Sequence, residues 1–330
     1  GFEVKVFERS EYPGGKIRTL EANSGPINIG PTVLTMLPIF QNLFREVGED
    51  IFDHLELKEQ NILARHWWSD GTEFDLFTNK NNTFDEIRNV FGLNAANQYM
   101  EFFHTTEKMF TCFEKPVMKT VSPAPIEILK EICKTPTIIP ALFPFRTLDK
   151  YLKSKFSEPK LRQLFGRYAT YVGGSPLNSP ALMALVWQAE AKGVWTVKGG
   201  ISSVAKAIER LAEDRGVEFI YGHQVIEIQQ SKHLVNKVCL DDGTNYEADA
   251  IIFNGDPRAL ALGLLGEGLS KVTKKTRNTP RSLSANVWGF ESKHVNKNLV
   301  HHNVFFSDEV NSEFYEIQKG KIPKDPTLYI

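Results

Sequence analysis

The first residues of the chain alternate between polar and apolar side chains. Residues 3–8 (EVKVFE) have a two-residue period with Val and Phe, which predicts a β-strand that ends on an acid, Glu8. The pattern breaks at Pro13-Gly14-Gly15, where glycine permits positive φ and a close approach of the backbone. A second turn-rich segment, SGPINIGPTVLTM, contains two Gly-Pro pairs. These two loops after one strand are the first candidates for a ligand-binding region.

Longer-period patterns follow in the first half of the chain. They predict an amphipathic helix at 38–47, a hairpin around Asp70-Gly71, and mainly helical structure from about 83 to 157. Residues 135–148 (TPTIIPALFPFRTL) are apolar and interrupted by proline. That segment fits either a buried kinked helix or the mouth of a substrate channel.

The second half of the chain mixes helix and strand patterns. A helix is expected near Pro180, and another after Gly199-Gly200 with a C-cap at Gly216. The apolar stripe predicted for that second helix consists of Ala205, Ile208, Leu211 and Ala212. Strands are expected at 217–222, 224–230, 235–248, 249–255, 284–291 and 300–307 and in the final PTLYI, with a helix after Asp256-Pro257.

Composition narrows the function classes. The 330 residues carry 39 Lys and Arg against 40 Asp and Glu, a balance that argues against a nucleic-acid footprint spread over the surface. The three cysteines lie far apart, which excludes a disulfide scaffold and fits a reducing compartment. The histidines lack metal-ligand spacing, so no metal site is predicted, and no run of about 18 apolar residues predicts a transmembrane helix.

Glu8 suggests nucleotide chemistry. In a dinucleotide-binding βαβ unit, a glycine-rich turn holds the pyrophosphate and an acid that ends the second strand bonds the ribose hydroxyls. Glu8 fits that acid if the first strand and its turn precede Gly1, and we expect the sequence to be part of a longer protein. A surface strand that simply ends in Glu is the alternative.

Other residues extend this hypothesis. Gly14 and Gly15 allow the backbone to lie against a bulky planar ligand, and Lys16 or Arg18 supplies positive charge for a phosphate. The valine of QVIEI is a candidate for contact with an adenine edge, and the NGDP turn is placed where open α/β sheets bind ligands. Both segments fit ordinary core strands equally well.

Several segments together resemble the carotenoid desaturases of the bacterial phytoene-desaturase type, in the flavin-dependent amine-oxidase-like superfamily. They are FERSEYPGGKIRT, GPTVLTM, RQLFGRYATYVGGSP, GVWTVKGGISSVAKAI and ADAIIFNGDPRAL, in order over nearly the whole chain. RHWWSDGTEFDLF and HHNVFFSDE look most like the 1-hydroxycarotenoid 3,4-desaturase (methoxyneurosporene dehydrogenase) group. Tyr168 stands where phytoene desaturases tend to carry histidine.

The resemblance implies FAD and an α/β fold. A discontinuous Rossmann-like FAD-binding domain (1–65 and 195–256) is expected, with an inserted mixed helical and β substrate domain (66–194 and 257–330). The implied FAD-binding residues are Glu8, Arg9, Gly14, Gly15, Lys16, Arg18, Gly30, Pro31, Thr32 and Val225. Glu8 matches the acid that binds the ribose hydroxyls. Residues 9–18 match the loop over the pyrophosphate and flavin, and residues 30–32 match the segment beside the isoalloxazine. Val225 matches the valine that contacts adenine. Asn28 departs from the Asp common in the family.

The implied reaction is desaturation of an acyclic carotenoid by hydride transfer to flavin. Arg146 is the candidate catalytic residue, for flavin-facing or proton-handling work, with a surface or helix-cap arginine as the alternative. A hydrophobic substrate implies a peripheral protein on the cytoplasmic face of a bacterial membrane, with Lys130, Lys134, Arg146 and Lys150 around the entrance. Phytoene or neurosporene desaturation, amine oxidation, and a non-catalytic or flavin-free isomerase-like protein are the alternatives. The oligomeric state is left open.

Overall fold

A computed structural model describes residues 1–23, 25–139, 146–231, 234–293 and 298–330, which form two compact units. Unit 1 comprises Gly1–Thr32, Val197–Arg281 and Val287–Glu291. Unit 2 comprises Val33–Thr196, Ser282–Asn286 and Ser292–Ile330. Compared with the domains expected from the sequence, residues 33–65 pack within unit 2 and 257–281 within unit 1. The division into a cofactor domain and a substrate domain stays a prediction.

The elements are numbered in chain order. The strands are β1 (Lys5–Glu8), β2 (Thr19–Leu20), β3 (Ile27–Asn28), β4 (Leu34–Thr35), β5 (Leu57–Glu59), β6 (Ile62–Trp67), β7 (Glu73–Phe77), β8 (Val194–Val197), β9 (Glu218–Tyr221), β10 (Val225–Ser231), β11 (Leu234–Leu240), β12 (Asn245–Glu247), β13 (Asn303–Phe305) and β14 (Leu328–Tyr329). The α-helices are α1 (Leu37–Glu46), α2 (Ile51–His54), α3 (Lys80–Phe91), α4 (Leu93–Phe113), α5 (Pro125–Lys134), α6 (Leu148–Lys155), α7 (Pro159–Gly166), α8 (Gln188–Ala191), α9 (Ser202–Glu213), α10 (Pro257–Ala261) and α11 (Val310–Gln318). Short 3-10 helices include Arg167–Val172 and Ala181–Leu185.

Unit 1 contains three small sheets. Strand β1 pairs in parallel with β9, with Glu8 opposite Tyr221 at the ends of the two strands. Strands β2 and β3 form an antiparallel pair, and β10, β11 and β12 form an antiparallel meander. The strands predicted at 3–8, 217–222, 224–230 and 235–248 are thus confirmed, apart from their exact ends.

Helix α9 links β8 to β9. Its predicted C-cap is confirmed, because Gly216 has a φ of +84° and Val217 N donates to Ala212 O at 3.1 Å. Its predicted apolar stripe is wrong in part. Leu211 is buried and Ala205, Ile208 and Ala212 are half-buried, but the prediction omitted Val204 and Ala207, which are also buried. Alanines occur all round this helix and give a weak signal for which face is buried.

Unit 2 is built on the sheet β14-β13-β6-β7. Strands β6 and β7 form the predicted hairpin, whose turn is closed by Gly71 N donating to Trp68 O at 3.0 Å. Asn79 caps α3 through hydrogen bonds from the backbone of Asn81 and Asn82, and Gly92 ends the helix at a φ of +92°. Helices α3 and α4 pack over this hairpin, so the helical region expected at 83–157 is confirmed where the structure describes it.

The core of unit 2 is dominated by aromatic rings. Phe102 lies at the centre, with ring centroids of Phe165 at 4.7 Å, Phe156 at 5.0 Å and Trp187 at 6.0 Å. Each of these side chains is at most 1% exposed. Aromatic pairs at these distances add to the free energy of apolar burial, so this cluster fixes α4, α6 and α7 against one another.

Two predicted strands are wrong, and the helix predicted near Pro180 is present in a different form. Residues 249–255 and 284–291 have no regular secondary structure and pair with no strand among the described residues. Ile252 is 96% exposed and Trp288 is 84% exposed, so apolar alternation did not produce a buried sheet face. Near Pro180 the chain forms a 3-10 helix, Ala181–Leu185, before the single-turn α8. Of the proline-broken apolar segment, residues 140–145 lie outside the described residues.

Candidate functional site

The candidate cofactor site lies in unit 1, where β1 ends. Glu8 is the last residue of β1, is half-buried, and accepts a hydrogen bond from Ser10 N to its Oε1 at 2.8 Å. This local bond fixes the carboxylate beyond the carboxyl end of a parallel strand pair, where α/β sheets bind ligands. The second carboxylate oxygen can accept hydrogen bonds from hydroxyl groups.

The loop after β1 turns through two glycines in the left-handed region. Gly14 has a φ of +107° and Gly15 a φ of +56°, and Ile17 N donates to Gly14 O at 3.0 Å. A Cβ on Gly14 would lie 3.2 Å from the Cβ of Ala205 in α9. Gly14 therefore allows the loop to pack closely on the helix.

The most crowded point of the site is Gly30. A Cβ on this residue would lie 2.1 Å from the carbonyl oxygen of Lys16. The two segments are also joined by Ile29 N, which donates to Arg18 O at 2.9 Å. Only glycine fits here, because the backbone of one loop crosses directly over the backbone of the other. Pro31 and Thr32 continue the chain at the surface of unit 1.

A third glycine turn precedes α9. Gly199 and Gly200 have φ values of +79° and +86°, and a Cβ on Gly200 would lie 2.6 Å from Asn28 Oδ1. That oxygen is buried and has no hydrogen-bond partner within the described part of the chain. We call Gly14, Gly15, Gly30, Gly199 and Gly200 the glycine cradle.

The cradle fits a flavin nucleotide. Helix α9 starts beside it with no side-chain cap among the described residues, and its first turn (Ser-Ser-Val-Ala) contains no acid. Such an N-terminus favours negative charge. Glycines that admit a planar group and a carboxylate for ribose hydroxyls suit this ligand, and the buried Oδ1 of Asn28, which has no partner among the described residues, can accept one further hydrogen bond.

The other predicted FAD residues lie in the same unit but in different settings. Arg9, Lys16 and Arg18 are exposed around the first loop, where their charges are available to an anion. Val225 begins β10, opposite Leu240, and is half-buried against the small cluster that includes Ile228. The roles assigned to all of these residues stay predictions.

Arg146 belongs to unit 2, just before α6. Its guanidinium Nη2 donates to Lys150 O at 3.3 Å and its Cζ lies 5.5 Å from the ring centroid of Tyr151. Its carbonyl oxygen accepts a hydrogen bond from Ala181 N at 2.9 Å. These contacts hold the start of α6. A catalytic role for Arg146 stays a prediction.

A polar network in unit 2 was missed from the sequence; its members Tyr168 and Glu190 are buried, whereas Tyr171 is 49% exposed. Glu190 Oε2 accepts from Tyr168 Oη at 2.6 Å, and Glu190 Oε1 accepts from Tyr171 Oη at 2.7 Å. Arg167 Nη1 donates to Tyr171 Oη at 2.9 Å, and its guanidinium Cζ lies 4.6 Å from the Tyr168 ring centroid. Burial raises the pKa of Tyr168, and the Glu190 carboxylate adds to the shift. The Arg-Tyr spacing in RYATY was visible, but its acidic partner lies 19 to 23 positions away.

Two buried histidines lie near this network. Burial lowers the pKa of His66 well below its ordinary value, and the positive charge of Arg167 lowers it further. Burial, with the charges of His301 and Arg167, lowers the pKa of His302 to about 4. Both imidazoles are therefore neutral at neutral pH. His302 Nδ1 lies 2.7 Å from Tyr329 Oη, and His66 Nδ1 lies 3.3 Å from Phe74 O.

An exposed group of His223, Asp241 and Asp242 brings three ligand-type atoms within 4.8 Å of one another. Both carboxylates already accept hydrogen bonds, Asp241 from Gln224 N and Asp242 from Thr244. This geometry is explained by the turn that it stabilises. Of the helices in the described ranges, none has both the length and the apolar run that a bilayer span requires.

The strand pair, its terminal acid and the glycine cradle define a nucleotide-binding oxidoreductase of the flavoprotein class. The family model for flavin-containing amine oxidoreductases matches residues 1–297. The chain belongs to this family, and within it to the carotenoid desaturase group.

Curated relatives align over the whole chain. It is 43% identical over 330 residues to the hydroxyneurosporene desaturase of Cereibacter sphaeroides and 32% identical over 341 residues to the 1-hydroxycarotenoid 3,4-desaturase of Flavobacterium sp.. The chain covers 67% of each of these relatives. Among solved structures, an oxidoreductase from Methanosarcina mazei superposes with a TM-score of 0.52 at 16% identity, over 83% of this chain and 58% of that one. This last match supports the fold alone.

Proposed function

We propose that the chain forms part of an FAD-dependent desaturase that introduces a C=C bond into an acyclic 1-hydroxycarotenoid. The observation that carries the proposal is the 43% identity to a hydroxyneurosporene desaturase over all 330 residues. Such a reaction removes two hydrogens from adjacent carbons, one as hydride and one as a proton. FAD, when bound, supplies the hydride acceptor.

The residues of unit 1 hold the cofactor in this proposal. Glu8 binds the ribose hydroxyls with its free carboxylate oxygen, while Ser10 N fixes the other oxygen. Gly14, Gly15 and Gly30 have no side chain, so a planar ring can lie directly against their backbone. Arg9, Lys16 and Arg18 balance phosphate charge at the surface of the loop.

A shape-matched substitution tests the cofactor site. Glu8→Gln keeps the shape of the side chain and removes its charge, so the Kd for FAD rises roughly 10- to 100-fold, the range for a hydrogen bond to a charged group. Glu3→Gln is the control, because Glu3 is exposed on the same chain segment and pairs with Lys5 at 3.3 Å. Equal FAD affinity in both variants would refute the role of Glu8.

The activity is tested on the full-length protein that contains this chain. It is purified with FAD and added to liposomes that contain a 1-hydroxycarotenoid, and the visible spectrum is followed. A red shift shows a lengthened polyene and supports the proposal. A shift only with phytoene or neurosporene keeps the desaturase class and excludes the 1-hydroxycarotenoid. If the protein retains flavin but the visible spectrum shifts with none of these carotenoids, amine oxidation is the next activity to test.

We also infer peripheral contact with the cytoplasmic face of a bacterial membrane, where a carotenoid dissolves. Helix α5 supports this inference, since Ile126 and Leu129 are exposed on it, at 59% and 54%, beside Lys130 and Lys134. The full-length protein is expected to co-sediment with anionic liposomes at low salt. Replacement of Ile126 and Leu129 by Ser should weaken that binding, and unchanged co-sedimentation would show that α5 is not the contact.

A further inference from the structure

Residues 257–281 of unit 1 form a small helical layer, which we call the basic cap. It consists of α10 and two 3-10 helices, Glu267–Lys271 and Lys274–Asn278. Thr273 Oγ1 donates to Pro257 O at 3.1 Å and so joins the start of the second 3-10 helix to the start of α10. None of the FAD-binding residues proposed above lies in this cap.

One side of the basic cap is packed. Leu260 and Leu269 are buried in a cluster with Ile228 of β10. The backbone is joined there as well, because Ile228 N donates to Leu265 O at 3.0 Å. These contacts attach the cap to the β10–β11–β12 meander. They use the inner leucines of the cap and leave its other apolar side chains without a role in the fold.

Three of those other apolar side chains are exposed. Leu262 is 45% exposed, Leu264 is 65% exposed and Val272 is 72% exposed. Val272 directly follows Lys271, which is exposed as well. Apolar side chains in water gain free energy when they enter an apolar phase, and exposed apolar groups beside polar ones mark contacts with proteins or membranes.

The charge of the basic cap selects between these two kinds of partner. The cap contains six basic residues and a single acid, Glu267, in a chain whose total net charge is −1. The basic residues are Arg258, Lys271, Lys274, Lys275, Arg277 and Arg281. Arg281 is balanced by an ion pair with Asp256 at 2.9 Å. Lys271 and Arg277 are exposed and have no ion-pair partner in the part of the chain that the structure describes. A positive surplus beside exposed leucine and valine favours an anionic bilayer.

We propose that the basic cap is a membrane-contact surface that binds the anionic phospholipid headgroups of a bilayer. Lys271 and Arg277 attract the headgroup phosphates. Leu264 and Val272 enter the boundary between headgroups and acyl chains. The inference rests on the proposed function, because a carotenoid is dissolved in a membrane, and it names a lipid partner for unit 1.

The basic cap and α5 are expected to respond differently to lipid charge. In α5, Lys130 pairs with Glu127 at 2.7 Å. Lys134 likewise pairs with Glu131 at 2.6 Å, so the charges of this helix are largely balanced within it. We therefore expect α5 to contribute mainly apolar contact. The cap makes binding depend on anionic lipid and on salt, since salt screens exposed charges.

The test measures binding of the full-length, FAD-loaded protein to vesicles that contain no carotenoid. One kind is phosphatidylcholine alone, and the other also contains phosphatidylglycerol. Lys271→Gln with Arg277→Gln should weaken binding to the anionic vesicles about 25-fold, at about fivefold for each charge removed, and leave binding to neutral vesicles unchanged. Lys271→Arg with Arg277→Lys keeps both charges and should bind like the wild type. Leu264→Ser with Val272→Ser should weaken binding to both kinds of vesicle.

Lys206→Gln with Arg210→Gln is the matched control, because it removes the same charge from exposed positions of α9 in the same unit. Equal losses from the two glutamine pairs would assign the effect to total charge and overturn the proposal. Undiminished binding to anionic vesicles without the charges of Lys271 and Arg277 would also overturn it. The proposed function is judged separately, because turnover of detergent-dispersed carotenoid requires no vesicle. Lipid binding through the cap without any desaturation would support the cap and refute the desaturase.

Discussion

Gly30→Ala is the sharpest test of the glycine cradle. The added Cβ would lie 2.1 Å from Lys16 O, and real Cβ atoms stay at least 3.0 Å from such a neighbour, so the two backbones must separate by about 0.9 Å. The hydrogen bond from Ile29 N to Arg18 O holds these backbones together, and a shift of this size strains or breaks it. Gly30 has no positive φ, so the whole effect is steric. Overpacking of this kind costs about 1–3 kcal/mol of unfolding free energy.

The assay measures the thermal midpoint and the flavin content of the purified full-length protein. A loss of ~3 kcal/mol lowers the Tm by roughly 6–12 °C, at about 2–4 °C per kcal/mol for a protein of this size. Flavin content should fall with it, since residues 30–32 move. Gly243→Ala is the matched control, because Gly243 has a φ of +87° in open space at a hairpin of the same unit, where alanine costs only ~1–2 kcal/mol. If Gly30→Ala keeps the same flavin content as Gly243→Ala, the cradle does not require this close approach.

Two further predictions concern the Arg167–Glu190 pair and His302 in unit 2. Glu190→Gln leaves Arg167 buried without its counter-charge and should reduce the unfolding free energy by about 3–5 kcal/mol. The double variant that also carries Arg167→Met should recover part of that loss. A cost of Glu190→Gln below ~1 kcal/mol in denaturant unfolding would show that the pair is not desolvated. The folded pKa of His302, about 4, lies below its ordinary value of 6.5, so the unfolded chain binds a proton first and stability is lost as pH falls from 6.5 towards 4. The unfolding free energy measured with denaturant should fall by ~2 kcal/mol between pH 6.5 and about pH 5 because of this histidine. His302→Gln should reduce that dependence of stability on pH. The same dependence in the variant would contradict the assignment.

Local signals in the sequence predicted the elements that depend on neighbouring residues. The hairpin at Asp70-Gly71, the C-cap at Gly216 and the strand that ends at Glu8 each follow from a few adjacent side chains. The same applies to the loop glycines, whose positive φ values at Gly14 and Gly15 are intrinsic to glycine.

Features that depend on distant partners could not be predicted. Residues 249–255 and 284–291 have strand-like alternation, but a strand requires a ladder partner, and that is decided by tertiary structure. The steric need for glycine at position 30 comes from Lys16, and the acid that completes the Arg167 network is Glu190. Neither pairing leaves a periodic trace in the sequence.

The discontinuity of unit 1 has a consequence for the order of folding. The pairing of β1 with β9 joins Lys5 to Glu218, and closing so long a loop in a disordered chain carries a large entropic cost. Residues 33–196 remove most of that cost if they fold first, because Leu34 pairs with Trp195 and brings the two ends of this segment side by side. We expect unit 2 to acquire hydrogen-exchange protection before the β1–β9 ladder during refolding. During synthesis, the β1–β9 ladder would then form only after more than two hundred residues had followed β1.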